Sequence, residues 1–261
     1  MQISSYDWFI DREKNKPCLV AGLAPTIEDF PYKKFDGIYL TCNDGPIRLK
    51  DLFQANYWVN ATTGFPDPVF HSDIINSFPE TVFIFADSVC YRNKHLDIDF
   101  LRNNLKVKWF AYDQSHFNHQ PCPGKFSRGF ICCELIDIYP ERDTLQELIQ
   151  KRYHTIDHYS PGNTVAIHVL AFAIILGCNP IYLQGIEIPV YKHEYIHRGE
   201  SKTCISDEKS VFYQCIPRIL ADFKYLIDLA YANSIEVYNL SRTSTLNKIN
   251  NLKYKDPTEI L

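Results

Sequence analysis

Ser160-Pro-Gly-Asn-Thr-Val-Ala-Ile-His-Val-Leu-Ala-Phe-Ala-Ile-Ile-Leu-Gly-Cys-Asn-Pro-Ile-Tyr-Leu-Gln-Gly-Ile-Glu187 is the stretch that decides the fold. The run from Thr164 to Leu176 is almost wholly apolar. It is too long for a strand and, interrupted by His168, too short to cross a bilayer, so it reads as a buried helix. Ser160 or Asn163 can accept from the free amides of its first turn, and Pro161 suits the first helical position. Gly177 closes the helix and Asn179-Pro180 stops it resuming. Ile181 to Gly185 then reads as a buried strand, and the short connection lays the helix directly against a sheet.

The same grammar extends in both directions. Upstream, Pro17 to Ala21 reads as a strand that ends in the turn Gly22-Leu-Ala-Pro-Thr26, with Thr26 as the N-cap of a following helix. Further strands are expected at Phe35 to Thr41, Tyr57 to Asn60, Thr81 to Ala86 and Val107 to Ala111. Downstream, residues 186–209 form a long loop rich in His, Tyr and charge, a common place for a lid. Ser210 to Asn233 reads as an amphipathic helix with Phe212, Cys215, Ile219, Phe223, Leu226 and Ala230 on one stripe. Glu236 to Leu240 is expected to close the sheet, with an irregular polar tail after Ser241. Apolar strands alternating with helices mean an α/β fold: a Rossmann-like, mostly parallel sheet with helices on both faces. The 261 residues fit one such domain with a lid over 186–209.

Composition narrows the function. Hydrophobic residues make up 46% and charged residues 22%, so a packed core is affordable and disorder is not indicated. Net charge is −4 with no long basic run, which argues against a nucleic-acid groove. The sparse lysines Lys248, Lys253 and Lys255 leave room for peripheral membrane contact through the tail. The nine cysteines include no C-x-x-C pair, and Cys18, Cys90, Cys132 and Cys178 fall in apolar runs, where thiols act as small hydrophobes. That usage and the absence of a signal-peptide pattern imply a reducing, cytoplasmic setting.

In an open parallel sheet, ligands bind outside the carboxyl ends of the strands. This selects the turns Gly22 to Thr26, Cys42 to Gly45, Asn60 to Thr63, Ser160 to Thr164, Gly185 to Glu187 and Ser241 to Ser244. Their small and amide-bearing residues let backbone approach a phosphate and offer neutral hydrogen bonds to ribose and base. The three-glycine dinucleotide fingerprint and the Walker loop are both absent, which disfavours an NAD oxidoreductase or a P-loop kinase. Asp97-Ile-Asp99 matches a metal-binding pattern but reads better as helix-start carboxylates. His116, His119, His154 and His158 lack a carboxylate or thiol partner, so no metal site is assigned. His168 reads as a hydrogen-bonded core residue.

Leu19 to Thr26, Thr41 to Asp44 and Ser160 to Glu187 together resemble two related groups. One is the bacterial sialyltransferases of glycosyltransferase family 42. The other is the motility accessory factor and archaeal hydroxymethylpterin diphosphokinase group. The resemblance spans residues 17–45 and 155–245. It departs at Gly22-Leu-Ala-Pro-Thr26, where the families read Gly-x-Gly-Pro-Ser, and at Glu187, where they carry Asp. For the sialyltransferases it implies inverting transfer from a CMP-activated sugar to the hydroxyl of a glycan or glycolipid. Gly22, Ala24, Thr26 and Asn43 would lie at the nucleotide, with Asn60 near the donor. Ser160, Gly162 and Asn163 would hold sugar and ribose, and Glu187 would stand at the same edge. Tyr191 and Tyr195 would bond the leaving phosphate. His197, or second His193, would be the general base. No cofactor is required, whereas a pterin-type diphosphokinase would need Mg²⁺. A non-catalytic nucleotide-sugar binder is the third alternative, and the residues would permit a homo-oligomer. Each assignment has a plainer counterpart: Ser160, Asn163 and Glu187 can serve as caps, and the lid histidines can be merely solvated.

Overall fold

The computed structural model describes residues 1–3, 5–60, 72–86, 103–112, 145–155, 164–188 and 216–260. They form a parallel sheet of eight strands: β1 (Cys18–Ala21), β2 (Ile38–Cys42), β3 (Tyr57–Asn60), β4 (Val82–Ala86), β5 (Trp109–Tyr112), β6 (Ile181–Gln184), β7 (Val237–Asn239) and β8 (Lys253–Tyr254). Their order is β5-β4-β3-β2-β1-β6-β7-β8, and every pairing is parallel. The chain steps outward from β1 to β5, then returns to lay β6 beside β1. The β1/β6 junction is therefore the topological switch point of the sheet, where crevices open in such folds.

The continuous apolar runs of the strands follow from burial on both faces. Cys18 and Val20 of β1, Leu40 of β2, Val59 of β3 and Ile84 of β4 point into one core. Leu19 and Ala21 face the opposite side, as do Trp58, Phe83 and Phe85. The α-helices among the described residues are α1 (Gly45–Arg48), α2 (Ser72–Asn76), α3 (Leu145–Tyr153), α4 (Val165–Ile175) and α5 (Ile216–Ala232). Helices α3, α4 and α5 belong to the first core, whereas Ile75 of α2 packs with Trp58 and Phe83 on the second.

Helix α4 is apolar all round because it has no solvent face. It packs on β1, β2 and β3 and against α3 and α5. Its buried Ile, Leu and Phe side chains each stabilise the fold by about 1.5–3 kcal/mol. His168 is wholly buried, with Nδ1 2.6 Å from Tyr112 Oη, the hydrogen-bonded core residue expected. Gly177, at φ +75°, ends the helix as its position implied. The orphan carbonyls of that end are taken up from outside: the amides of Asp11, Glu13 and Asn15 donate to the oxygens of Ile175, Leu176 and Gly177 at 3.2, 2.9 and 2.9 Å. The amino-terminal arm thus caps a helix more than 150 residues further along the chain.

Three expectations need correction. The element after β1 is a single 3-10 turn, Pro25–Asp29, with Ala24 in the cap position and Thr26 inside the turn. Pro25 takes the first position because its ring presets φ and its missing N–H leaves no orphan donor, which moves the cap back by two residues. Glu236 to Leu240 does not close the sheet, since β8 pairs beyond β7. The tail is also ordered: Leu246, Ile249, Leu252 and Ile260 are buried, and Ser244 caps the 3-10 turn Thr245–Lys248. Helix α5 carries the expected stripe, with Ile219, Phe223, Leu226 and Ala230 fully buried. Residues 210–215 lie outside the described residues. No described helix is long and apolar enough to cross a membrane.

Candidate functional site

At the switch point the two strands stay joined after they end. Gly22 N donates to Gln184 O at 2.8 Å, and Ala24 N donates to Gly185 O at 3.0 Å. A Cβ on Gly22 would stand 2.1 Å from the Gly185 oxygen, and Gly185 adopts φ +69°. Only glycine accommodates either demand at no cost. The two turns thus form a closed floor between β1 and β6. The amides of Gly22 and Ala24 are spent on that floor, so what these residues offer a ligand is close backbone approach. Gln184 Nε2 donates to the Thr26 carbonyl, which ties the Pro25–Asp29 turn to β6. Among the described residues, Thr26 Oγ1 and Gln184 Oε1 are buried without a hydrogen-bond partner.

The next strand outward brings the Asn43 turn alongside. Buried Thr41 sends Oγ1 to the Ala21 carbonyl at 2.9 Å, locking the end of β2 to that of β1. Asn43 turns the chain at φ +52°, a region asparagine tolerates better than most residues. Its carbonyl accepts from Trp58 Nε1 at 2.6 Å, so β3 holds the turn from beneath. Buried Asp44 accepts from Arg48 Nε at 3.4 Å. Beside them burial, and then the charge of Asp44, pushes the Cys42 thiol up to about 12, which leaves it protonated and unreactive. Asn60 ends β3, only 1% exposed.

On the other side of the switch point, Glu187 is half-buried and its Oε1 accepts from Ser241 Oγ at 3.3 Å. Ser241 Oγ also lies 3.2 Å from Thr243 Oγ1, and Ser244 Oγ donates to the Ile186 carbonyl at 3.1 Å. Glu187 is therefore engaged with the turn after β7.

Asn60, Asn43, Gly22, Gly185 with Glu187, and Ser241 consequently close five neighbouring strands, β3-β2-β1-β6-β7, in one row. At about 4.8 Å per strand the row spans roughly 19 Å. It presents amides, hydroxyls and bare backbone, with its two carboxylates engaged by Arg48 and Ser241. Among the described residues, no group of three His, Cys, Asp or Glu could hold a metal.

Gly22, Ala24, Thr26, Asn43, Asn60 and Glu187 are all brought to this edge. Ser160, Gly162, Asn163, Tyr191, His193, Tyr195 and His197 lie outside the described residues, as do Asp97, Asp99, His116, His119 and His158. The structure adds Thr41, Trp58 and Gln184. Thr41 and Gln184 carry a readable signal, a polar residue near the end of an otherwise apolar strand. Trp58 carries none, because its N–H function is invisible within an apolar run.

No protein-family model and no curated protein matches the chain in sequence. Solved structures do match in fold. One is the MAf glycosyltransferase of Magnetospirillum magneticum AMB-1, with a TM-score of 0.57, 12% identity and 97% of this chain covered. This chain spans 36% of the length of that enzyme. A second is the monofunctional alpha-2,3-sialyltransferase Cst-I of Campylobacter jejuni, with a TM-score of 0.50, 17% identity, and coverage of 100% of this chain and 86% of that one. The sialyltransferase CstII of Campylobacter jejuni also matches, at a TM-score of 0.46 and 14% identity over 94% of this chain and 86% of that one. The fold described above is thus similar to that of the MAf glycosyltransferase and of Cst-I.

Proposed function

We propose that the chain is a glycosyltransferase of sialyltransferase-like type, taking a CMP-activated sugar at the carboxyl edge of β3-β2-β1-β6-β7. The observation that carries the reading is the row of small and amide-bearing residues across the switch point, Asn60, Asn43, Gly22 and Gly185. Such a row can follow a nucleotide and its phosphate with neutral donors and close backbone. The likeness of the fold to the MAf glycosyltransferase and to Cst-I supports it.

In the mechanism, His197, or failing it His193, takes the proton of the acceptor hydroxyl while that oxygen attacks the anomeric carbon. The bond from that carbon to the phosphate oxygen breaks on the opposite face, and CMP leaves with the electron pair. Configuration is inverted. Tyr191 and Tyr195 donate hydrogen bonds to the departing phosphate, a stabilisation that requires no metal. Ser160, Gly162 and Asn163 orient the donor sugar and ribose. The acceptor is a hydroxyl of a glycan or glycolipid.

A thermal-shift panel of CMP, CDP, UDP, GDP and ATP, each with and without Mg²⁺, tests the reading. A ligand bound only by the folded state adds about 2.7 kcal/mol at a hundred times its dissociation constant. CMP or CDP should stabilise without metal. Stabilisation by ATP with Mg²⁺ alone would replace the reading with a diphosphokinase, and silence across the panel would discard nucleotide binding at this edge.

A further inference from the structure

His168 and Tyr112 are both wholly buried, and Tyr112 Oη lies 2.6 Å from His168 Nδ1. Tyr112 is the last residue of β5, at the carboxyl edge of the outermost strand on its side. His168 is the fourth residue of α4. The foot of the same helix lies at β1, where Asn179 N donates to Lys16 O and Cys18 N to Pro180 O, both at 2.9 Å. Helix α4, packed on β1, β2 and β3, therefore runs with its foot at the amino ends of β1 and β6 and its head toward the carboxyl edge, where His168 meets Tyr112 at the end of β5. Phe172, one turn below His168, makes an edge contact with the Tyr112 ring at 5.4 Å.

The two ends of α4 are held differently. Three backbone bonds from Asp11, Glu13 and Asn15 clamp the foot. Among the described residues, the head is held by apolar packing, which is non-directional, and by directional contacts that include the His168–Tyr112 bond. A leucine and a phenylalanine would fill this space without the cost of burying an imidazole and a phenol. A satisfied buried polar pair contributes placement, because it tolerates one arrangement of the two elements and penalises the rest.

We propose that His168 and Tyr112 are positioning residues whose bond fixes the amino-terminal end of α4 over the carboxyl edge of the sheet. The helix head leads directly from Thr164, so the bond also sets the register of that end for the donor nucleotide. This last step rests on the reading under Proposed function.

Backbone amide exchange and CMP titration of the parent, Tyr112→Phe, His168→Leu and His168→Asn test it. An Asn side chain can place an amide atom where Nδ1 stands, and Tyr112→Phe removes a single oxygen should His168→Leu fail to fold. In Tyr112→Phe and His168→Leu, exchange in the first two turns of α4 should rise about tenfold, with its last turn and β1 changed less than about twofold. CMP affinity should fall about fivefold, and His168→Asn should recover both properties. A uniform rise throughout α4 and the sheet, or an unaltered helix head, overturns the proposal. If the head loosens selectively but CMP binds none of the forms, the parent included, the bond's role in placing α4 stands and the nucleotide reading falls.

Discussion

Gly22 and Gly185 face each other across the switch point so closely that a Cβ on the first would stand 2.1 Å from the carbonyl oxygen of the second. The contact continues the β1/β6 pairing past the strands, through Gly22 N to Gln184 O and Ala24 N to Gly185 O. Gly22→Ala must push the two turns apart. It should destabilise the fold by about 1–3 kcal/mol, the usual cost of overpacking. It should also weaken nucleotide binding by more than the stability loss explains. Urea denaturation with a parallel nucleotide titration checks both, and an alanine variant as stable as the parent would show that the contact imposes no constraint.

Trp58 supplies the second lever. Its indole N–H bonds the Asn43 carbonyl at 2.6 Å, while its ring packs edge-on with Phe78 and Phe83 at 5.7 and 5.2 Å. Trp58→Phe retains an aromatic ring in that cluster and deletes the donor. The expected cost is about 0.5–1.5 kcal/mol, the net contribution of one hydrogen bond. Beyond that loss, the Asn43 turn should loosen and the affinity for CMP should fall. Unchanged affinity at reduced stability would confine Trp58 to the core.

The contrast between these residues shows what a sequence can and cannot disclose. Tyr57–Asn60 and the helix Val165–Ile175 were legible because local apolar patterning and flanking Gly and Pro determine them. Gly22 and Gly185 were each legible as strand-ending turns, but their contact joins residues 163 positions apart and leaves no local mark. The arm Asp11-Arg-Glu-Lys-Asn-Lys16 has no hydrophobic periodicity, since it docks on the end of α4 through the amides of Asp11, Glu13 and Asn15 and its side chains are free to be polar. Thr26 was misplaced because a proline beside a capping residue can shift the cap. The tail was misread although Leu246, Ile249 and Leu252 recur every three residues, a signal hidden by its polar composition.

Alkaline pH should expose the buried acids of the core. Burial raises the Cys42 thiol from 9.0 to about 12, and burial with the neighbouring Cys178 raises Cys18 well above its ordinary value. Burial also lifts the Tyr57 phenol, helped by its bond to Glu13, and the Tyr153 phenol. A folded-state value above the unfolded one means the unfolded chain binds fewer protons in the interval. Stability is then full below the unfolded value and declines as pH rises through the folded one. Urea midpoints should be level up to about pH 9 and fall progressively above it. Phenolate absorbance should show Tyr57 and Tyr153 ionising together with unfolding. A midpoint that is flat to pH 12 would contradict the raised Cys42 value.

Under the proposed mechanism, His197 acts only while the acceptor oxygen attacks, and the donor is bound by other residues, Tyr191 and Tyr195 among them. His197→Ala should therefore lower turnover by about 10²–10⁴-fold, the range a general base contributes. CMP affinity and melting temperature should stay at parental values. The rate that remains should also lose the dependence on pH near neutrality that a titrating imidazole imposes, since the base form is needed and is depleted as pH falls. The same measurements on His193→Ala separate the two histidines: the base shows the loss of rate together with the flattened profile. A loss of rate with the pH dependence intact would mean that His197 binds the acceptor without taking its proton. Full activity in His197→Ala would move the base to His193 or off the lid altogether.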